Sequence, residues 1–488
     1  MLIMLKILVG KYKGLPIQVK ASFWFLICTF TQKAINVFTT PIFTRLMTTS
    51  EYGEYNVYTS WIGIFTVIIS MNLSLGVFVR GLIKFPDRKN EFASSMQTLT
   101  FFLVLAWVII YLPFKSQINI LTGLNTTRTL LMIVTIWLTS VFGFWAAEQR
   151  VDYQYKKLVP VTLLVSVGGQ VLGVTLVYFL KDKVTARILG TVIVDTLVYL
   201  WLFGLDLIRG RRLFDWGFWK YALLFNLPLV PHYLSQVVLN SSDRIMIDRM
   251  VDSSAAGIYG LAYSISQVMT MFNTALAQTE EPWLYRKIGE KQIEDIRPIA
   301  YFSFIFIAGV NLLLILFAPE IISFFAPKQY YAAIWVIPPI AMSVFFSFSY
   351  YFFAVFEYYF EKTKPIALAS CIGAILNIAL NYLLIPIYGY TIAGYTTLFC
   401  FIVYAIFHYI FMHQLCVEEL GGKEPFSIRI FIVISTLFIV SGFGISLTYN
   451  ITPFVRYALA LVIFLILMIY KNKLIDLIKN IMSIRHTI

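Results

Sequence analysis

QKAINVFTTPIFTRLMTTSEYGEY, the stretch at residues 32–55, reappears in altered form at residues 236–259 as QVVLNSSDRIMIDRMVDSSAAGIY. The matched positions hold the same residue in both copies: Gln32 and Gln236, Asn36 and Asn240, Arg45 and Arg249, Gly53 and Gly257, Tyr55 and Tyr259. The same offset also joins Gly190 to Gly394. Coincidence between two apolar regions would match leucines and isoleucines, whereas these matches are polar residues and glycines. The chain therefore contains an internal repeat.

The composition is that of a membrane protein. The chain has 488 residues, of which 59% are hydrophobic and 13% charged, whereas about 25% of the residues of a soluble domain are charged. We predict an all-α integral membrane protein with about fourteen transmembrane helices, because each apolar segment is near the length of about 20 residues that crosses a bilayer. The segments are 21–44, 55–79, 97–113, 128–147, 159–180, 186–206, 218–240, 256–281, 298–318, 332–357, 365–386, 391–412, 428–447 and 453–470.

Each copy of the repeat spans six of these helices. Because six is even, the copies run parallel and are related by an axis along the membrane normal, as in transporters with a central cavity between two lobes. In chain order, the predicted parts are a cytoplasmic N-terminal segment 1–20, an N-lobe 21–207, a C-lobe 216–415, two extra helices within 428–470 and a cytoplasmic tail 471–488.

The positive charge predicts orientation in the membrane. The formal charge of +13 is carried by short segments between apolar runs, which argues against nucleic-acid binding. Most of the 38 lysines and arginines lie in the termini and in alternate loops on one side of the predicted topology. Both termini are therefore predicted to be cytoplasmic.

Polar residues within several spans follow single helix faces. In span 1, Thr29, Lys33, Asn36 and Thr44 have helical spacing, and spans 2, 7 and 8 carry similar stripes. Lipid-facing helices do not keep such stripes, so these faces are predicted to line a wet cavity. Helix-to-helix hydrogen bonding is the alternative for each hydroxyl or amide. The predicted substrate-binding residues are Lys33, Asn36, Gln236, Asn240, Asp243, Arg244, Gln267 and Thr270.

Charged residues inside the spans are the strongest individual candidates. A lysine at the position of Lys33 costs roughly 2.5 to 3.5 kcal/mol on insertion scales, which favours a function over an ion pair or snorkelling. For Asp243 and Arg244, an exposed ion pair is the alternative. Asp195 and Glu357 are candidates for coupling to a proton or another ion, with a counter-ion role as the alternative.

Other signals concern the ends and bends of the spans. Arg45 and Arg249 lie where their spans end, which favours helix capping or interfacial anchoring. Helix kinks are predicted at the prolines within or beside the spans. These are Pro41, Pro228, Pro231, Pro282, Pro338 and Pro339.

Several function classes are excluded by what the chain lacks. It has no phosphate-binding loop of the G-x4-GK[ST] type, so ATP hydrolysis within this chain is excluded. The four cysteines are scattered through apolar stretches without metal-ligand spacing, so neither a disulfide framework nor a zinc site is predicted. We expect no cofactor, no metal and no enzymatic activity.

Specific motifs resemble a transporter family. The run from Gln32 to Asn36, followed by Thr44-Arg45-Leu46 and by residues 50–55, resembles the opening of Wzx-type polysaccharide flippases in the multidrug/oligosaccharidyl-lipid/polysaccharide (MOP) exporter superfamily. Residues 240–247 and 256–259 resemble the junction between their spans 7 and 8, and residues 281–283 resemble the end of their span 8. The resemblance covers nearly the whole chain and implies a V-shaped, MATE-like fold with two six-helix lobes and two C-terminal helices.

The resemblance also implies a function. Wzx-type proteins flip undecaprenyl-pyrophosphate-linked oligosaccharide across the bacterial inner membrane by alternating access, for O-antigen, lipopolysaccharide or related surface polysaccharides. It implies a proton or sodium gradient as the driving force. The implied partners are the lipid-linked oligosaccharide, membrane lipids and a polysaccharide polymerase complex. A cationic cavity lined by amides and hydroxyls suits such a diphosphate-bearing glycan.

Three other functions stay open at this point. A multidrug or cation antiporter of the same fold requires cavity acids and an apolar pocket, and Lys33 and Arg244 argue against it. A membrane glycosyltransferase would be established if the purified protein formed a glycosidic bond. A scaffold for a polysaccharide assembly complex would be supported if no transport occurred without partners.

Overall fold

The computed structural model describes residues 16–469, and all regular secondary structure in that range is helical. The predicted all-α fold class is confirmed. The predicted tail 471–488 and most of the predicted N-terminal segment 1–20 lie outside the described residues.

The first ten described helices cover the N-terminal half of the chain. They are α1 (Ile17–Leu46), α2 (Thr49–Ser70), α3 (Gly76–Lys84), α4 (Lys89–Tyr111), α5 (Lys115–Thr122), α6 (Thr126–Val151), α7 (Tyr155–Phe179), α8 (Lys183–Gly210), α9 (Trp216–Asn226) and α10 (Val230–Met250).

The remaining described helices follow the second copy of the repeat. They are α11 (Ser253–Ser266), α12 (Thr270–Gly289), α13 (Ile296–Leu316), α14 (Ala318–Phe325), α15 (Ile337–Tyr359), α16 (Thr363–Tyr388), α17 (Ile392–Glu419), α18 (Ile428–Leu447) and α19 (Pro453–Ile469).

Ten helical segments within residues 16–469 are long and apolar enough to cross a membrane. The protein is therefore a multi-pass membrane protein. Predicted spans 1, 2, 8 and 14 are not among the ten, although each overlaps a helix. The first three carry the polar stripes, and α19 is described over only 17 residues. The number fourteen thus stays a prediction.

Packing divides the chain into two compact units, with the boundary between Ser241 and Ser242. In the first unit, α8 packs against α7, α6 and α4, and α1 packs against α7. In the second unit, α17 packs against α15 and α16, and α13 packs against α15 and α18. Helix α9 and the first half of α10 belong to the first unit. The lobe boundaries 207 and 216, and the separate pair of helices at 428–470, stay predictions.

Predicted spans 2, 7 and 8 are interrupted. The segment 55–79 was predicted as one helix, but α2 ends at Ser70 because Met71 and Asn72 adopt left-handed backbone conformations with φ of 51° and 52°. The Asn226 side-chain amide donates to the Met71 carbonyl oxygen, which holds this turn. Span 7 is likewise interrupted, by a 3-10 turn at Leu227–Leu229.

The prolines account for only part of the helix interruptions. Pro228 lies in the 3-10 turn of span 7, as expected of a residue without a backbone donor. The kink predicted at Pro338 and Pro339 is wrong, since both lie at the first turn of α15, where the backbone N–H groups have no helical partner. The break at Gln267–Met269 between α11 and α12 was not predicted.

The core of the second unit is built on aromatic side chains. The ring of Phe304 in α13 is surrounded by Phe345 and Phe352 of α15 and Phe431 of α18, with centroid distances of 6.4, 5.3 and 4.9 Å. Such clusters bury large apolar areas and favour edge-to-face geometry.

The glycines that the repeat matched lie at close helix contacts. A Cβ atom on Gly190 of α8 would lie 2.3 Å from the backbone of Gly173 in α7. A Cβ atom on Gly394 of α17 would lie 2.9 Å from the ring of Pro339 in α15. Glycine at both positions permits two membrane helices to approach closely. The matched glycines thus both lie at helix contacts, although their partner helices, α7 and α15, do not correspond in the repeat.

Gly190→Ala is expected to destabilise the protein by about 1 to 3 kcal/mol, because the new methyl group meets backbone that cannot rotate away. Gly204→Ala in the same helix is the matched control, since nothing lies within 4 Å of its Cβ position. That control should be neutral or stabilising, because alanine favours helix over glycine. Thermal unfolding in detergent measures both variants, and equal melting temperatures would contradict the packing role of Gly190.

Candidate functional site

The polar face of α1 meets α7. Gln170 of α7 donates from Nε2 to Asn36 Oδ1 at 3.0 Å, and its Oε1 accepts from the Thr39 hydroxyl at 3.3 Å. One turn away, Gln32 Nε2 donates to Ser166 Oγ at 3.2 Å. Helix-to-helix hydrogen bonding therefore accounts for part of the stripe. Asn36 nonetheless remains exposed.

Lys33 lies within this polar face and is half-buried. Among residues 16–469, no carboxylate lies within ion-pair distance of its ammonium group, and its side chain makes no hydrogen bond. The ion-pair alternative therefore has no support in the described structure. An ammonium group at this depth is stabilised by water or by a bound anion.

Arg45 and its repeat partner Arg249 lie in the last turns of α1 and α10. Arg45 donates from Nη1 to the Pro41 carbonyl oxygen at 2.8 Å. This bond is to a carbonyl one turn back in the same helix, so helix capping or interfacial anchoring by Arg45 stays a prediction. The nearby motif residues Thr48 and Glu51 form a capping box that begins α2.

Asp243 of α10 is buried, with 1% of its surface exposed. Its carboxylate accepts hydrogen bonds from the Tyr259 hydroxyl at 2.6 Å, Asn381 Nδ2 at 2.6 Å and the Thr397 hydroxyl at 2.7 Å. The donors come from α11, α16 and α17. The alternative of an exposed Asp243–Arg244 ion pair is wrong, because the carboxylate is enclosed by these three helices.

A second layer of amides and hydroxyls surrounds this carboxylate. Asn377 Oδ1 accepts from the Ser242 hydroxyl at 3.0 Å and from Asn381 Nδ2 at 3.3 Å. Asn381 Oδ1 accepts from the Thr396 hydroxyl at 2.5 Å. All of these groups are buried. The network ties α10 to α16 and α17 at one level of the second unit.

Arg244 follows Asp243 and is half-buried. Its guanidinium carbon lies 4.5 Å from the centre of the Tyr263 ring of α11. An aromatic face stabilises a guanidinium by cation–π attraction and fixes its orientation. Before Arg244 in the same helix, Asn240 Nδ2 donates to the Gln236 carbonyl oxygen at 2.8 Å. Gln236 and Asn240 are both half-buried in α10.

Gln267 and Thr270 lie at the break between α11 and α12. The Thr270 hydroxyl donates to the Gln267 carbonyl oxygen at 2.6 Å. Thr270 also lines a cavity of about 310 Å³ between α12 and α15. The other polar lining residues are Asn273, Thr274, Gln278, Ser347, Tyr350 and Tyr351.

The two acids predicted for ion coupling have different surroundings. Asp195 is buried in α8 and has no hydrogen bond or ion pair with another described residue. Glu357, near the end of α15, is fully buried and pairs with His408 of α17 at 2.5 Å. Nothing in the sequence linked Glu357 to His408, which lies 51 residues further along the chain.

The comparison with protein families decides what kind of protein this is. The family described as "Polysaccharide biosynthesis protein" matches residues 19–287, which is more than half of the chain. This chain belongs to the polysaccharide biosynthesis protein family. A second family, MatE, matches residues 228–383. Membership of the MOP superfamily, expected from the motifs, is therefore confirmed.

Relatives and solved structures agree with this family membership. A protein of the Lsg locus of Haemophilus influenzae is 22% identical over 374 residues, which cover 74% of this chain and 89% of that protein. The lipid II flippase MurJ in an inward closed conformation superposes with a TM-score of 0.69 at 16% identity. That match covers 92% of this chain and 99% of MurJ.

A multidrug resistance transporter of the MATE family in an inward-facing conformation has a TM-score of 0.61 at 14% identity. The match covers 80% of this chain and 96% of that transporter. At such identities, these likenesses show the fold of this chain. They do not identify its substrate.

The structure adds residues that the motifs of the polysaccharide biosynthesis family did not single out. Ser166 and Gln170 face α1, and Asn377, Asn381 and Thr397 surround Asp243. A signal for most of them was present. Ser166 and Gln170, and likewise Asn377 and Asn381, lie four residues apart on one helix face, as the stripes of spans 1 and 7 do.

Proposed function

We propose that this protein flips a polyprenyl-pyrophosphate-linked oligosaccharide, of the undecaprenyl type in bacteria, across the cytoplasmic membrane by alternating access. The product would supply O-antigen, lipopolysaccharide or a related surface polysaccharide. Membership of the polysaccharide biosynthesis protein family supports the class of substrate.

Lys33 is the observation that carries the proposal. A half-buried ammonium without a carboxylate partner among the described residues matches an anionic ligand that arrives and leaves. A pyrophosphate group supplies that charge and accepts several charge-assisted hydrogen bonds. The neighbouring exposed amide of Asn36 adds a neutral hydrogen-bonding group. A transporter of cationic drugs would instead require a carboxylate at this position.

Arg244 is proposed as the second phosphate-binding residue. Its stacking on Tyr263 orients the guanidinium, and its fork geometry suits phosphate oxygens. Asp243 is proposed as a positioning residue, because a carboxylate held by three donors is not available to substrate. It holds the segment that carries Arg244 against α11, α16 and α17. Gln236, Asn240 and Gln267 stay proposed substrate contacts.

The cavity between α12 and α15 is proposed to bind part of the glycan. Tyr350 and Tyr351 offer aromatic surface for the apolar faces of sugar rings, while Thr270, Asn273 and Gln278 offer hydroxyl and amide groups. A small number of polar groups among aromatic walls is typical of sites that bind neutral ligands. The Tyr351 hydroxyl is fixed by a hydrogen bond to Glu281.

The location is proposed to be the bacterial inner membrane with both termini in the cytoplasm, as the charge distribution predicts. Reporter fusions at Ile488 and within residues 115–125 should then report opposite sides of the membrane. The same side for both fusions would contradict the predicted topology.

A flipping assay in proteoliposomes tests the proposed function. Purified protein should speed the appearance of undecaprenyl-pyrophosphate oligosaccharide in the opposite leaflet, as read by its accessibility to an added glycosidase or lectin. Protein-free vesicles and free polyprenol supply the controls. Export of a cationic dye without oligosaccharide flipping would instead establish a drug antiporter. Formation of a glycosidic bond would establish a glycosyltransferase, and flipping that requires added assembly proteins would favour a scaffold or a polymerase complex.

The driving force is proposed to be a proton or sodium gradient. Asp195 and Glu357 stay the proposed ion-coupling residues. Of the two, Glu357 has a titratable partner, since His408 lies at hydrogen-bond distance from it. Asp195 is buried near Tyr199 and makes no hydrogen bond to a described residue.

A further inference from the structure

A carboxylate and an imidazole share a buried site in the second unit. Glu357 Oε1 lies 2.5 Å from His408 Nδ1, and neither side chain is exposed. Histidine is the side chain whose ordinary titration falls between pH 5 and 8. The pair therefore combines a carboxyl group, which can carry a proton, with an imidazole, which can carry a proton on each of its two nitrogens.

Each partner keeps one polar atom without a hydrogen bond. Among the described residues, Glu357 Oε2 and His408 Nε2 are both buried and both lack a protein partner. A buried polar atom left unpaired costs about 1 to 3 kcal/mol. A pair kept only for stability would be expected to have these atoms satisfied, as the carboxylate of Asp243 is.

A cavity of about 560 Å³ lies at the turn between α15 and α16 and ends beside Glu357. Glu357 forms part of its wall, and the turn residues Lys362 and Lys364 lie at its rim. The cavity has room for on the order of ten water molecules or more. The lysines belong to the loops that the charge distribution places in the cytoplasm. Water from that side therefore reaches the residues beside Glu357, whose own side chain has no exposed surface, so proton transfer requires this wall of the cavity to open.

The side chains that pack on the pair are aromatic, and the other ionisable groups near α15 are remote from it. The Tyr404 and Tyr350 rings pack on the His408 imidazole with centroid distances of 4.6 and 5.4 Å. Helices α13 and α18 contribute phenylalanines to α15. The other ionisable groups near α15 are Glu361, Lys362, Lys364 and Glu418 around the cavity, and Glu281 and Tyr285 of α12, which contact Tyr351 and Tyr359.

We propose that Glu357 and His408 form one proton-binding site that is loaded from the cytoplasmic end of this cavity and couples flipping to a proton gradient. This inference rests on the proposed function and names its coupling ion. When empty, the pair holds a carboxylate and a neutral imidazole, with a net charge of −1. A hydronium ion in the cavity transfers one proton to the pair and becomes water, which leaves the pair neutral overall. Release returns the proton to water.

The experiment measures flipping of undecaprenyl-pyrophosphate oligosaccharide in proteoliposomes under an imposed proton gradient, and separately under an imposed sodium gradient. The wild type should be stimulated by the proton gradient. Glu357→Gln and His408→Gln should each lower this stimulation by about tenfold or more, because an amide does not take up a proton near neutral pH. Glu419→Gln removes an exposed carboxylate that does not line this cavity and should leave the stimulation unchanged.

Two further measurements separate coupling from folding and from substrate binding. Melting temperature and binding of undecaprenyl pyrophosphate should change little in Glu357→Gln, because glutamine keeps the acceptor for His408 and neither residue is proposed to touch substrate. Unchanged proton stimulation in both variants would overturn the inference. So would stimulation by sodium alone that is lost in Asp243→Asn, since carboxylate, amide and hydroxyl oxygens also suit a hard cation. Absence of flipping under every gradient would count against the proposed function itself.

Discussion

Lys33→Ala is expected to slow export of lipid-linked oligosaccharide strongly while the protein still inserts and folds. A hydrogen bond to a charged group contributes about 1.5 to 3 kcal/mol, so the loss of one phosphate contact corresponds to roughly a tenfold to hundredfold lower rate. Complementation of a strain that lacks its own flippase, together with the proteoliposome assay, measures the change.

The stability of the same variant separates a binding role from a structural role. Removal of an unpaired ammonium relieves a cost of roughly 2.5 to 3.5 kcal/mol, so the melting temperature of Lys33→Ala should stay the same or rise. Lys33→Arg should keep part of the activity, because it retains the positive charge. Lys20→Ala, near the beginning of the same helix, is the control and should remain active. Full activity of Lys33→Ala would exclude Lys33 from the substrate site.

The exchange Asp243→Arg with Arg244→Asp is expected to give no folded protein. It places a guanidinium where the Tyr259 and Thr397 hydroxyls and the Asn381 amide all donate. Each donor left without an acceptor costs about 1 to 3 kcal/mol, so the total reaches several kcal/mol. An exposed pair would tolerate the exchange at a cost of about 0 to 1 kcal/mol. Expression level and size-exclusion profile in detergent measure the outcome.

Two single variants distinguish the roles of these neighbours. Arg244→Gln should fold normally and lose export, because glutamine keeps hydrogen bonding without the cation. Asp243→Asn should fold less stably than the wild type, since its amide group replaces one acceptor oxygen by a donor. An active Arg244→Gln would remove Arg244 from the phosphate site, and a fully stable exchange variant would show that Asp243 is not held as described.

The fold class was predictable because hydropathy and internal repeats depend only on the order of residues in the chain. The fourteen predicted segments each overlap a described helix, and the matched glycines Gly190 and Gly394 both lie at close helix contacts. The helix breaks were less predictable. Met71 and Asn72 end α2 through their backbone conformation, and the hydrogen bond that holds them comes from Asn226, far away in sequence.

The sequence by itself determined that this is an all-helical membrane protein with an internal repeat, and it singled out Lys33 by its cost in the bilayer. Only the tertiary structure decided that Lys33 has no carboxylate partner among the described residues, that Asp243 is enclosed, and that Glu357 meets His408. The reason is geometric. Helical periodicity tells which residues share one face of a helix, but which helix that face meets is decided by packing between segments that lie far apart in the chain.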